Sequence, residues 1–144
     1  MSTVTEIVTA ITEVLASLPF VDYASADEFL PPAGNADVCA FVVPFDQNST
    51  ARADSLDDTI TLVHVLAVEF WIQHRNGEAA TTMQVARDAG ALAVAALLAS
   101  DGDGYSIARD YAFTERIERQ FVSHLNVPWL VVALSVPVEN EVTT

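Results

Sequence analysis

Six apolar positions near the start of the chain, Val4, Ile7, Val8, Ile11, Leu15 and Leu18, recur every three or four residues, with Thr5, Glu6, Thr9, Thr12 and Glu13 opposite them. That spacing predicts an amphipathic helix. Thr3 followed by Glu6 forms a capping-box pattern that starts the helix near Val4, and Pro19 closes it. A short extended piece at 20–24 and the turn-rich stretch "DEFLPPAGNAD" come next. The pattern then changes to β-branched and aromatic runs, "VCAFVVPF" and "TITLVHVLAVEFWIQ", which predict two strands of an antiparallel hairpin. Between them residues 46–58 read as a polar loop carrying Asp46, Arg52, Asp54, Asp57 and Asp58, longer than most hairpin connections and of a size usually given to function.

After Asn76-Gly77, a turn signal, residues 78–99 return to helical character and from Ala89 onward are apolar on nearly every face. Ala89, Gly90, Ala91, Ala93, Ala95 and Ala96 permit close approach to a sheet, to another helix or to a neighbouring subunit. "SDGDG" stops the helix, with Gly102 or Gly104 supplying the left-handed residue. Residues 111–125 fit a strand face or a helix face equally well. In the last segment Leu130, Val132, Leu134, Val136 and Val138 alternate with Trp129, Val131, Ala133, Ser135 and Pro137, which predicts a strand whose proline end lies at a sheet edge. Disorder is expected only at the tips, as in 139–144. The fold class is therefore α+β: an antiparallel or mixed sheet with a long hairpin, packed against two helices, in a single domain over residues 1–144.

Composition narrows the function. The chain has 20 acidic residues against six basic ones, all arginine, for a formal net charge of -14. A groove that grips nucleic acid needs a basic stripe, which this sequence lacks. No basic segment followed by an apolar run marks a secretory signal, and "AGALAVAALLA" would span only about 17 Å as a helix, short of the roughly 30 Å of bilayer hydrocarbon, so a soluble protein with no membrane partner is expected. The single cysteine, Cys39, sits in an apolar run and reads as a buried structural thiol.

Candidate chemistry is sparse. His64 and His74 share a strand face but would stand roughly 33 Å apart, too far for one metal, and no carboxylate or thiol lies at ligand spacing beside them. His64, between Leu62 and Leu66, reads as an interior histidine; His74 and Arg75 mark where the strand leaves the core. Asp101 and Asp103 resemble the start of a calcium loop, but Ser106 and Ala112 occupy the positions that need Gly and Glu. The sequence holds no nucleophile elbow, phosphate-binding glycine loop, zincin motif or Cys pair. Neither catalytic residues nor a cofactor or metal are expected, and the chain does not read as an enzyme.

The order helix, short strand, long hairpin, helix and closing strands resembles the tail terminator proteins of long-tailed bacteriophages. The resemblance is carried by "VTEIVTAITEVLASLP", by the pair around "CAFVVP" and "LVHVLAVEFWIQ", by the turn "RNGEAA" into an alanine-rich helix, and by "VPWLVVALSVPVE". It implies a virion structural protein of the tail, a homo-hexameric ring that caps the tail tube protein, ends its polymerisation and joins it to the head-tail connector protein, with DNA passing the lumen unbound. Head-tail connector or neck proteins have a similar order, and a small ligand-binding regulatory domain is the alternative from another class. On the ring reading, Asp46, Arg52, Asp54, Asp57, Asp58, His74 and Arg75 are the candidate subunit or lumen contacts.

Overall fold

The computed structural model describes residues 3–34, 36–43, 50–53, 59–74, 79–117 and 122–143. The element order is α1 (Val4–Ala16), β1 (Tyr23–Ser25), β2 (Val38–Val43), β3 (Thr50–Ala53), β4 (Thr59–Gln73), α2 (Ala79–Ala99), β5 (Ser106–Ile107), β6 (Thr114–Ile117), β7 (Val122–His124) and β8 (Val127–Thr143). The strands form one mixed sheet and the two helices cover one of its faces, so the fold is α+β.

The helix caps follow the sequence. Thr3 is the N-cap of α1, its side-chain oxygen accepting the Glu6 amide at 3.2 Å, and Ile7, Ile11 and Leu15 form the buried stripe. Gly102 and Gly104 take positive φ after α2. Asp101 staples this turn: its carboxylate accepts the Ile107 amide at 2.9 Å and pairs with the Arg109 guanidinium at 2.8 Å.

The spine of the sheet is the antiparallel pair β4–β8, an unbroken ladder of fifteen residue pairs from Thr59–Thr143 to Gln73–Trp129. On one side β4 pairs with β2 and, further along, with β3; β1 then adds parallel to β2. On the other side β8 pairs in turn with β5, β6 and β7, one outer strand broken into three. Among the described residues of 111–125, Thr114–Ile117 and Val122–His124 are strand. Their last part is a hairpin whose two-residue turn, Leu125 and Asn126, has both φ values positive, the backbone form that matches the twist of the flanking strands.

Four expectations change. Residues 46–58 are not one loop, because Thr50–Ala53 forms β3 and pairs with residues 60–63 of β4. Residues 139–143 are strand, paired throughout with the start of β4. Pro137 lies in the middle of the sheet, not at its edge: its carbonyl accepts the Ala108 amide, so its missing N–H faces the gap between β5 and β6, where no ladder partner asks for a donor. Finally, the apolar run of about 17 Å is not a helix by itself: with Ala79 to Asp88 before it, α2 has 21 residues, about 31 Å. It is long and apolar enough, by length and composition, to cross a bilayer. Here Ala86, Ala89, Ala93 and Leu97 are laid against the sheet core instead.

The main core lies between helices and sheet. It joins Val38, Ala40 and Val42 of β2, Leu66, Val68, Phe70 and Ile72 of β4, and the even-numbered residues 130–138 of β8 to the inner stripes of α1 and α2. The period-two pattern of each strand and the helical period of α1 meet on this one face.

Candidate functional site

The opposite face of the sheet carries a second, smaller apolar cluster: Cys39, Phe41, Trp71, Trp129 and Val131. Three of these belong to one row, because Cys39 pairs with Trp71 and Trp71 with Val131; Tyr23 of β1 extends that row outward. The connection between β1 and β2 crosses this cluster: Ala36 packs against it and Pro31 is buried. A parallel pair needs a crossover of about a dozen residues, and this one runs as a strap over the sheet.

Both ends of the strap are pinned. The Asp22 carboxylate accepts the amides of Asp37 and Val38 at 2.9 and 3.0 Å, which ties the strap's exit to its entry. At the entry, the Ser25 hydroxyl accepts the Asp27 and Glu28 amides, and Tyr23 donates its phenol to Glu28 at 2.7 Å. The middle is held from the far edge of the sheet. His124 on β7 places Nε2 at 2.7 Å from the Pro31 carbonyl, and since a carbonyl only accepts, Nε2 carries the proton. The His124 ring stands edge-on to Trp71, and Trp129 donates its indole N–H to the His124 carbonyl at 3.3 Å. Trp71 Nε1 is buried with no acceptor among the described residues, a small cost within an otherwise well-paired cluster.

The seven candidate contacts from the sequence fare unevenly. Asp46, Asp54, Asp57, Asp58 and Arg75 lie outside the described residues. Arg52 is in β3, in register with Thr61 of β4. His74 follows the last residue of β4 at the other end of the ladder, where its amide donates to the Pro128 carbonyl at 2.9 Å. About 40 Å of strand separates those two positions, so they do not share a site. His64 is buried on the helix-covered face, where burial holds its imidazole below the ordinary value. No three ligand-type side chains come together among the described residues.

The part of this surface that sequence reasoning missed is the strap and its clasp. Pro31 and His124 are 93 residues apart, and nothing local to either predicts their meeting. The one available signal was compositional. Trp129 and Val131 alternate with core residues on β8 yet are themselves large and apolar, which means that both faces of that strand end are covered.

Two concavities lie among the described residues. The larger is about 280 Å³, open, and lined by Tyr105, Ser106, Glu139, Asn140 and Glu141 among others; a second of about 120 Å³ lies between Asp37, Gln73 and Thr82. Ligand pockets generally start at roughly 300 Å³ and are mostly apolar. The larger concavity instead presents two carboxylates and no basic group among its lining residues.

Compared with known proteins, the chain matches no family model, and no curated protein aligns with it significantly.

Two buried acids of high pKa give a testable signature. Burial, helped by Asp22 and Asp37, pushes the Cys39 thiol from 9.0 up to about 11, and burial with Asp101 nearby pushes the Tyr105 phenol from 10.0 up to about 12. Both folded values lie above the unfolded ones, so the unfolded chain releases these protons first. Their contribution to stability is complete below pH 9 and is lost as pH rises from about 9 to 12. The chain contains no lysine to blur that range. Denaturant midpoints measured from pH 8 to 11.5 are expected to fall steadily, and Cys39 should resist alkylation at pH 8 until the chain is unfolded. A flat profile, or rapid labelling of the native thiol, contradicts the burial of both groups.

Proposed function

We propose that this chain is the subunit of a tail terminator ring of a long-tailed bacteriophage, a structural component that caps the tail tube and meets the head connector. The observation that carries this reading is the form of the central ladder. Beyond the row His64–Val138, the last with a residue in the main core, β4 and β8 continue for five further pairs, flanked by β3. This is roughly 17 Å of three-stranded ladder beyond the main core, in which Thr61 and Val63 are still buried. It leads into residues 54–58, which hold Asp54, Asp57 and Asp58, and it carries Glu139 and Glu141 on β8. A binding domain has little use for such an extension, whereas a ring subunit uses one to reach its neighbour or the next ring. The acidic balance suits a lumen through which DNA must pass without adhesion.

Solution mass tests the reading. Light scattering and native mass spectrometry at rising protein concentration are expected to show a species six times the 15.5 kDa chain mass, seen as rings by electron microscopy. A chain that stays at 15.5 kDa from micromolar to millimolar concentration would falsify the proposal.

A further inference from the structure

The six large apolar side chains most exposed to solvent among the described residues fall into two groups. Phe29 and Leu30 belong to the strap, and Val122 and Leu125 flank the His124 that clasps it, so the four gather on the strap-covered face of the sheet. Leu92 and Leu98 belong to α2, where Arg87, Ala91 and Ala95 are also exposed on the same outward side of the helix, on the other face of the sheet.

The two patches differ in charge. Asp27 and Glu28, both exposed, immediately precede Phe29 and Leu30. The only charged residues among the 21 of α2 are Arg87 and Asp88, and Arg87 stands one turn before Ala91 at the head of the apolar side. One patch is therefore acidic then apolar; the other begins with one cation and one anion, Arg87 and Asp88, and is then apolar over about 16 Å of helix. In a chain of net charge -14, α2 itself, with one cation and one anion, is neutral and repels a second copy less than the chain's average surface does.

From this we infer that the strap patch of one copy docks on the α2 patch of the next, with Asp27 and Glu28 facing Arg87 and with Phe29 and Leu30 on Ala91, Ala95 and Leu98. The inference rests on the ring reading and names its interface. A two-fold contact of strap on strap would set Asp27 and Glu28 against their own copies. The mixed contact removes that repulsion and covers both apolar surfaces. Because the patches lie on opposite faces, every copy that docks leaves one of each unpaired, and the contact repeats, closing a ring where the rotation between copies permits and building an open filament where it does not.

Cysteine trapping tests the pairing. Chains carrying Leu30→Cys and Leu98→Cys are mixed under mild oxidation at the concentration where the native chain assembles, or at millimolar concentration if it does not, with the native chain, whose only thiol is buried, as the control. The expected product is a disulfide between the two variants, with neither variant alone forming a dimer, and a ladder of covalent oligomers from the double variant. Arg87→Glu should lower the yield severalfold, and adding Asp27→Arg to the same chain should restore it, an outcome that a change in folding would not produce. Homodimers of either single variant as the main product, or no product above the control, would overturn the inference. A ring by mass together with homodimers refutes this interface and leaves the ring; a monomer by mass with no trapped product refutes both.

Discussion

Replacing Phe70 with alanine is expected to lower the stability of the chain by about 3–5 kcal/mol, the range for deleting a large aromatic from a packed interior. Phe70 has no exposed surface. It stands on β4 between Ala40 of β2 and Val132 of β8, with the Phe20 ring packed against it at a centroid distance of 5.8 Å. All three neighbours sit on backbone fixed by other contacts, so the space left by the ring cannot close without moving a strand. Urea unfolding should show a lower midpoint with an unchanged slope. Phe29→Ala is the matched control: Phe29 is 42% exposed, and its removal should leave the midpoint within about 0.5 kcal/mol of the parent. A Phe70 variant as stable as the Phe29 variant would mean that the helix layer does not pack on the sheet as described.

Gly104→Ala is expected to destabilise by roughly 1–3 kcal/mol, from two sources that act together. Its φ of +90° is one that residues with a Cβ rarely adopt, and an added Cβ would sit 2.9 Å from the Cβ of Ala10 on α1. The neighbouring Gly102 separates these causes, since it has φ of +101° but open space around it. Gly102→Ala should carry the backbone cost alone. Equal losses at the two positions would show that α1 yields to the added methyl group; no loss at either would contradict the turn itself. Thermal unfolding of both variants measures the difference.

Periodicity identified α1, α2, β2, β4 and β8 because each presents a full face to the one large core, and a long apolar repeat survives local noise. Thr3 and Glu6 marked the start of α1 because a cap is a local event within four residues. Three features were hidden for related reasons. Thr50–Ala53 reads as polar loop and becomes a strand only because β4 runs far enough to offer it a ladder. Residues 111–125 gave no clear period because their strands are short pieces, Thr114–Ile117 and Val122–His124, each paired only with β8 at the sheet's outer side. The strap looked like a connection because its role depends on His124, far away in the sequence. Of the candidate contacts, the acidic residues were read from charge alone, which says where solvent or a partner is preferred but not where the residues stand relative to one another. The apolar patches escaped for the opposite reason: the sequence shows that Phe29, Leu30, Leu92 and Leu98 are apolar, and only the fold shows that they are left outside.

The β4–β8 ladder also sets how the chain must reach its native state. Its partners are roughly 55 to 85 residues apart in sequence, so no local step can nucleate it, and closing that loop comes at an entropic cost before any pair rewards it. The β2–β4 hairpin can form early, but β8 must then enter between β4 and the broken outer strand, completing both ladders and the shared core together. Until it does, β4 presents a long apolar edge with unpaired amides and carbonyls to any other chain in the same condition. On the proposed ring reading, folding before encounter is therefore a kinetic requirement: a subunit that meets its neighbour too soon offers β4, rather than its finished surface, as the point of attachment.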